Sequence, residues 1–208
     1  MCIDFKNLNS ACPKDYYPLP DINGKIESVV GFWYKCFLDA YKRYYQVQMA
    51  HDNEEKTAFY TDQGTYCYTM MLFGLKSAGA TYQRLVDTAF QSQIRRNLEA
   101  YVDDMVIKGN DEMVLIVGIV KTFDNLWKIN MKLNQKKCSF RVEEGKFLGY
   151  MVTSEGIRAN LKKTKAIVDM QSPQTLREMQ SLSGKLAALK RFLSQLAERS
   201  LPFFDTLC

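Results

Sequence analysis

Short apolar runs punctuated by turn residues and by helical stripes run the length of the chain. Tyr101-Val102 and Met105-Val106-Ile107 flank an acidic pair, Asp103-Asp104, and read as two short strands with the pair at or near the turn of a hairpin. Cys36-Phe-Leu-Asp39 reads as a short buried strand ending in a carboxylate. Thr57–Thr61 and Thr65–Thr69 surround Asp62-Gln63-Gly64, a second hairpin signal. Lys146–Val152 reads as one strand, followed by a turn at Ser154–Gly156. Helical spacing marks about 80–97 (Tyr82, Leu85, Val86, Ala89, Phe90, Ile94) and, with Asp111 as cap, 111–128 (Ile116, Val120, Phe123, Trp127). Gly118 interrupts the latter at ~1 kcal/mol relative to alanine. Two more helices follow from Asp21 as an N-cap for 22–32, and from Ser172-Pro173 as N-cap and first-turn proline. The stripe beyond Pro173 runs through Leu176, Met179, Leu182, Leu186, Leu189 and Leu193 and reads as core. Asp4–Asn9 reads as a strand end entering a loop, and Pro13, Pro18 and Pro20 keep the next stretch extended. Strands and helices do not alternate, so the order favours an α+β fold: an antiparallel sheet backed by helices on one face.

At 208 residues the chain makes one large domain or two small ones. The net charge of +5 mildly favours a polyanionic partner. No apolar run approaches the ~18 residues that span a bilayer, and the N-terminus lacks a signal pattern. An intracellular place, in a cytoplasmic particle or the nucleus, with no membrane partner, is the expectation. Six scattered cysteines without Cys-x-x-Cys, and one histidine, argue against a zinc site and for reduced thiols.

Adjacent carboxylates repel one another, so Asp103-Asp104 is either a solvated acidic turn or a site for an oxygen-ligated divalent ion. Asp39 could meet the pair on a neighbouring strand. Two Mg²⁺ ions, with Mn²⁺ as a substitute, would relieve the repulsion and make a site for phosphoryl or nucleotidyl transfer. The aromatic and basic run Tyr41–Gln46 suits a nucleotide site or a partly exposed amphipathic segment. Lys132–Arg141, and then Arg158, Lys162, Lys163 and Lys165, form basic stretches; a composition shift near 153–172 marks a subdomain boundary.

Tyr101-Val-Asp-Asp104 does not stand alone. Asp4-Phe-Lys-Asn-Leu-Asn9, Tyr17-Pro-Leu-Pro20, Phe37-Leu-Asp-Ala40 with Tyr44 and Gln46, Lys56-Thr-Ala-Phe59, Phe73-Gly-Leu-Lys-Ser-Ala-Gly-Ala-Thr-Tyr-Gln-Arg84, Lys137-Cys138 and Phe147-Leu-Gly-Tyr150 occur in one order. Jointly they resemble the reverse transcriptase part of a gypsy-type, plant-like LTR retrotransposon Pol polyprotein. The resemblance implies a polymerase palm at 36–152, partial fingers at 1–35, and a linker with incomplete thumb or connection helices at 153–208. It implies RNA-directed DNA synthesis on a primed template or RNA–DNA hybrid, with dNTPs and two Mg²⁺ held by Asp39, Asp103 and, more weakly, Asp104. Lys137 would help protonate pyrophosphate or contact a phosphate. Tyr44 would exclude a 2′-hydroxyl, unless it is plain core, and Lys6, Phe73 and Gly74 would serve the dNTP pocket. Gln83 would lie beneath the template, with Tyr101 nearby, and Phe147, Leu148, Gly149 and Tyr150 would form the primer grip. The basic region from Arg158 would hold the hybrid by its backbone or form a solvated face.

The chain departs from that pattern in places. Basic fingers residues expected upstream of Asp4 are absent, as are RNase H, integrase and protease segments, and the thumb looks incomplete at Cys208. Arg43 stands where the family usually has a small residue, and Leu72, Gln135 and Leu161 replace prolines. These departures motivate two alternatives: a decayed, weak or inactive palm, or a nucleic-acid-binding module without catalysis. The oligomeric state is left open.

Overall fold

The computed structural model describes residues 3–193, 195, 196, 198 and 201, and these fall into two compact units. The first comprises residues up to Leu148 together with Val152–Gly156. It opens with α1 (Lys6–Ala11) and α2 (Ile22–Glu27), then β1 (Tyr34–Asp39), the single turn α3 (His51–Glu54), and the hairpin of β2 (Phe59–Thr61) and β3 (Gly64–Tyr66). There follow α4 (Ala78–Ala89), β4 (Leu98–Tyr101), β5 (Asp104–Gly109), α5 (Glu112–Lys128) and β6 (Ser139–Val142). Three short strands, β7 (Gly145–Phe147), β8 (Tyr150–Val152) and β9 (Ile157–Arg158), mark the passage between the units. The second unit continues with α6 (Leu161–Val168) and α7 (Leu176–Ala187).

The main sheet runs β4-β5-β1-β6, and every pairing in it is antiparallel. Register places Cys36 opposite Ile107, Leu38 opposite Met105, Leu98 opposite Ile107 and Ala100 opposite Met105. Side chains alternate across a strand, so these residues share one face. That face packs against Tyr82, Val86 and Phe90 of the α4 region and Leu115 and Leu126 of α5 to form the core. The opposite face carries Lys35, Phe37, Glu99, Val106 and Lys108, all buried. Part of it is covered by α2, whose Lys25 bonds Glu99. Among the described residues, Cys12, Cys36, Cys67 and Cys138 are free cysteines; Cys2 and Cys208 lie outside the described residues.

Caps fall where short-range chemistry placed them. Asp21 accepts from Gly24 N–H, and Asp111 accepts from the N–H groups of Met113 and Val114. Other expectations are corrected. Residues 6–11 are helical rather than extended: Asp4 Oδ1 accepts from Lys6 N–H and so stabilises a helical first turn. The helix expected to end near Asn97 stops at Ala89, because Phe90 and Gln93 turn inward and Gln93 bonds Gly118 O and Thr122 Oγ1. The stripe read on α5 is the exposed one. Val120 and Trp127 face outward, while Leu115, Gly118, Thr122 and Leu126 face in. Gly118 explains the inversion, since a Cβ there would stand 3.1 Å from Ile107 Cγ2; small size, not apolarity, selects the buried side.

The single strand expected over 146–152 is broken by Leu148 (φ 48°) and Gly149 (φ 85°), two consecutive left-handed residues of a tight turn. In the second unit, α6 lies in the stretch read as linker, capped by Asn160. The cap of α7 is Thr175, not Ser172: Thr175 accepts from Glu178 N–H while Glu178 accepts from Gln174 N–H, a close variant of the capping box. Residues 202–208, part of the expected thumb, lie outside the described residues.

One glycine is positioned by close approach alone. A Cβ on Gly145 would fall 2.2 Å from Cε2 of the buried Phe37 ring. Gly145→Ala is therefore expected to destabilise the first unit by about 1–3 kcal/mol, measured by urea denaturation.

Candidate active site

The β4–β5 hairpin pairs Tyr101 with Asp104 and leaves Val102-Asp103 as its two-residue turn. Val102 has φ 51°, a strained setting for a β-branched residue. The turn is held from beneath. Val102 N–H donates to Gln83 Oε1 at 2.7 Å, Gln83 Nε2 donates to Asp87 Oδ1 at 2.9 Å, and the Tyr17 hydroxyl donates to Asp87 Oδ2 at 2.7 Å. Gln83 is fully buried, so its visible work is to position the acidic turn. On the neighbouring strand, Asp39 ends β1 directly opposite Asp104. One carboxylate oxygen from each of Asp39, Asp103 and Asp104 lies within 4.8 Å of the others.

Like charges this close must be compensated. Lys137 Nζ lies 3.3 Å from Asp39 Oδ2. Arg43 Nε lies 2.6 Å from Asp103 Oδ2, but off hydrogen-bond geometry, so that buried oxygen has no hydrogen-bond donor among the described residues. Burial pushes the Asp103 carboxyl up, against the pull of Arg43. Asp104 is pushed up to about 6, by burial first and then by Asp103 and Asp39. An orphaned buried oxygen within an all-carboxylate donor set fits a hard divalent cation.

The folded Asp104 carboxyl holds its proton more tightly than the unfolded chain does. Its contribution to stability is therefore greatest below pH ~4 and is lost as pH rises through about 6. In EDTA at pH 7.5, Asp104→Asn should stabilise the protein by about 1–3 kcal/mol and flatten the fall in stability between pH 5 and 7.5. Urea denaturation of both proteins at the two pH values checks this.

The structure brings Asp39, Asp103, Asp104 and Lys137 together. Tyr44 is half-buried near them, its ring edge-on to Tyr82 at 5.7 Å and 6.3 Å from Phe73. Burial raises the Tyr44 hydroxyl's pKa, and the Asp103 charge adds to it. Phe73 is exposed; Gly74 has φ 97° and accepts from Asn9 Nδ2 at 2.8 Å. Lys6 is exposed at the start of α1. Tyr101 is half-buried at the end of β4, and Phe147 is buried. Leu148 lies in the first unit, while Gly149 and Tyr150 belong to the second, where Tyr150 meets Phe192 at 5.9 Å. The pairing of Arg43 with Asp103 was not anticipated. Its only signal was a guanidinium four residues beyond a strand-end carboxylate.

Residues 1–152 match the family described as reverse transcriptase (RNA-dependent DNA polymerase). The chain belongs to the reverse transcriptase family. Among its relatives, the retrovirus-related Pol polyprotein from transposon opus of Drosophila melanogaster is 33% identical over 202 residues, covering 97% of this chain and 20% of the relative. The Pol polyprotein from transposon gypsy of the same organism is 29% identical over 207 residues, covering 100% of this chain and 20% of the relative. The chain thus spans about one fifth of these relatives' length. A foamy viral protease-reverse transcriptase solved with double-stranded DNA superimposes with a TM-score of 0.88 at 21% identity, over 97% of this chain and 35% of that one. Another, solved with an RNA/DNA hybrid, gives 0.79 at 22% identity, over 88% and 25%. The fold is that of a reverse transcriptase palm fragment, the α+β class expected. Reverse transcriptases generally use divalent metal ions, and the carboxylate cluster is in place here.

Proposed function

We propose that this chain is the DNA-synthesising segment of an LTR retrotransposon Pol polyprotein, adding dNTPs to a primer 3′-hydroxyl on an RNA or DNA template. The observation that carries this reading is the convergence of Asp39, Asp103 and Asp104 within 4.8 Å on a reverse transcriptase palm. Asp39 and Asp103 would be the principal Mg²⁺ ligands and Asp104 a weaker one. When bound, the ions would supply charge stabilisation for the attacking hydroxyl and the leaving pyrophosphate.

The chain's own residues do the positioning. Gln83 fixes the acidic turn. Tyr44, backed by Tyr82, offers a ring with little room to yield to a 2′-hydroxyl. Lys137, whose ammonium lies 3.3 Å from Asp39, would donate a proton to departing pyrophosphate. Residues 1–35 would contribute to the fingers, with Lys6, Phe73 and Gly74 serving the dNTP. Tyr101 and Phe147–Tyr150 would guide the primer and template, and the basic stretch from Arg158 would follow the hybrid backbone. RNase H, integrase and protease segments belong to the parent polyprotein in this reading, and its setting is intracellular.

Extension of an oligo(dT) primer on poly(rA) with dTTP alone, then with UTP alone, tests the proposal. Elongation with dTTP and little with UTP supports it; none with either from folded protein contradicts it. The second reading, a palm that binds nucleic acid but has lost synthesis, is favoured by one observation, the Arg43 side chain set against Asp103.

A further inference from the structure

We propose that Arg43 is a built-in counter-cation that competes with the divalent ion for Asp103 and so sets how readily the carboxylate site loads. This rests on the reading of the three aspartates as a metal site. Arg43 Nε stands 2.6 Å from Asp103 Oδ2, the same oxygen that lacks a hydrogen-bond donor. The contact is therefore one of charge against charge, the kind of contact a metal ion would make there. A guanidinium and a divalent ion on one oxygen repel each other strongly, so the ion can seat only as the arginine withdraws.

The two partners differ in their freedom to move. The Arg43 side chain is 51% exposed and the Asp103 side chain 10%. The arginine can swing into solvent, whereas the carboxylate is fixed in a tight turn whose neighbouring amide is bonded to Gln83. The backbone at the arginine is unusual. Lys42 (φ 53°) and Arg43 (φ 43°) are consecutive left-handed residues shortly after β1. Left-handed backbone is disfavoured for a side-chain-bearing residue and free for glycine, so Arg43→Gly is expected to fold. Lys137 occupies Asp39, so two of the three carboxylates already carry a protein cation.

The test is Mn²⁺ binding by the full chain, followed by calorimetry and by the Mn²⁺-induced rise in Tm, with no substrate present. Wild type is compared with Arg43→Gln, which keeps the bulk and removes the charge, and with Arg43→Gly, which removes both. Each has a version that also carries Asp103→Asn. Arg43→Gln is expected to tighten Mn²⁺ binding about tenfold, which is ~1.4 kcal/mol. Arg43→Gly should tighten it at least as much, with a larger Mn²⁺-induced Tm shift in both. Mn²⁺ affinity in Arg43→Gln equal to or weaker than wild type would overturn the inference, whatever Arg43→Gly does. If binding is lost with Asp103→Asn yet unmoved by Arg43→Gln, this inference fails alone. If binding persists undiminished in Arg43→Gln with Asp103→Asn, the metal reading fails with it.

Discussion

Glu99→Ala is expected to destabilise the first unit by about 3–5 kcal/mol, enough to unfold a marginal domain. Glu99 is buried on the sheet face away from the main helices and accepts from two ammonium groups, Lys25 at 2.8 Å and Lys108 at 2.9 Å. Lys108 also donates to Ser28 O at 2.7 Å. Deleting the carboxylate strands two cations with no counter-charge, and such charges are costly away from water. Burial pulls the Glu99 carboxyl upward, but hydrogen bonds from both lysines outweigh it and hold it below the ordinary value. The triad's stabilisation is therefore present above pH ~4.3 and lost as pH falls through the lower folded value. Urea denaturation from pH 3 to 7 should show this acid loss in wild type and its absence in Glu99→Ala. Replacing all three residues by Met, Leu and Met should cost little or stabilise, because the desolvation penalty vanishes with the charges.

Asp39→Asn is expected to lower the turnover of primer extension by at least about 10³-fold, or ~4 kcal/mol of transition-state stabilisation. Affinity for a primed hybrid should change little, because phosphate-backbone contacts carry most of it. Asp39 sits at a strand end, half-buried, with its backbone carbonyl accepting from Asn134 N–H. An amide fits the same space, so the variant should fold. Asp104→Asn should reduce turnover less than Asp39→Asn, matching the weaker role proposed for it. Gel-based extension rates, measured beside hybrid affinity, separate loss of chemistry from loss of binding.

Much of this site was legible from residue order because its determinants are local. A carboxylate ending an apolar run at Asp39 and an acidic pair between apolar runs at Asp103-Asp104 define strand ends without tertiary information. Asp21 and Asp111 announce their helices in the same way. What was not legible depends on partners distant in sequence. The inward face of α5 is chosen by Gly118 against Ile107 and by Thr122 bonding Gln93, so the more apolar stripe lost to the better fit. The buried Lys25–Glu99–Lys108 triad gave no sign, since charged residues in short elements normally read as solvated. The resemblance put Gln83 beneath the template, and only the folded hairpin shows its side-chain oxygen accepting from Val102 N–H. The α7 cap was available in Thr175-Leu-Arg-Glu178, but Ser172-Pro173 offered a competing signal.

The most direct measurement is Mg²⁺-titrated incorporation of dTMP into an oligo(dT) primer on poly(rA), by wild type beside Asp103→Asn. Incorporation that rises with Mg²⁺ in wild type and stays at background in the variant is the predicted result. Equal incorporation by the two proteins, or none from cooperatively folded wild type, would contradict the reading of Asp39, Asp103 and Asp104 as a polymerase metal site.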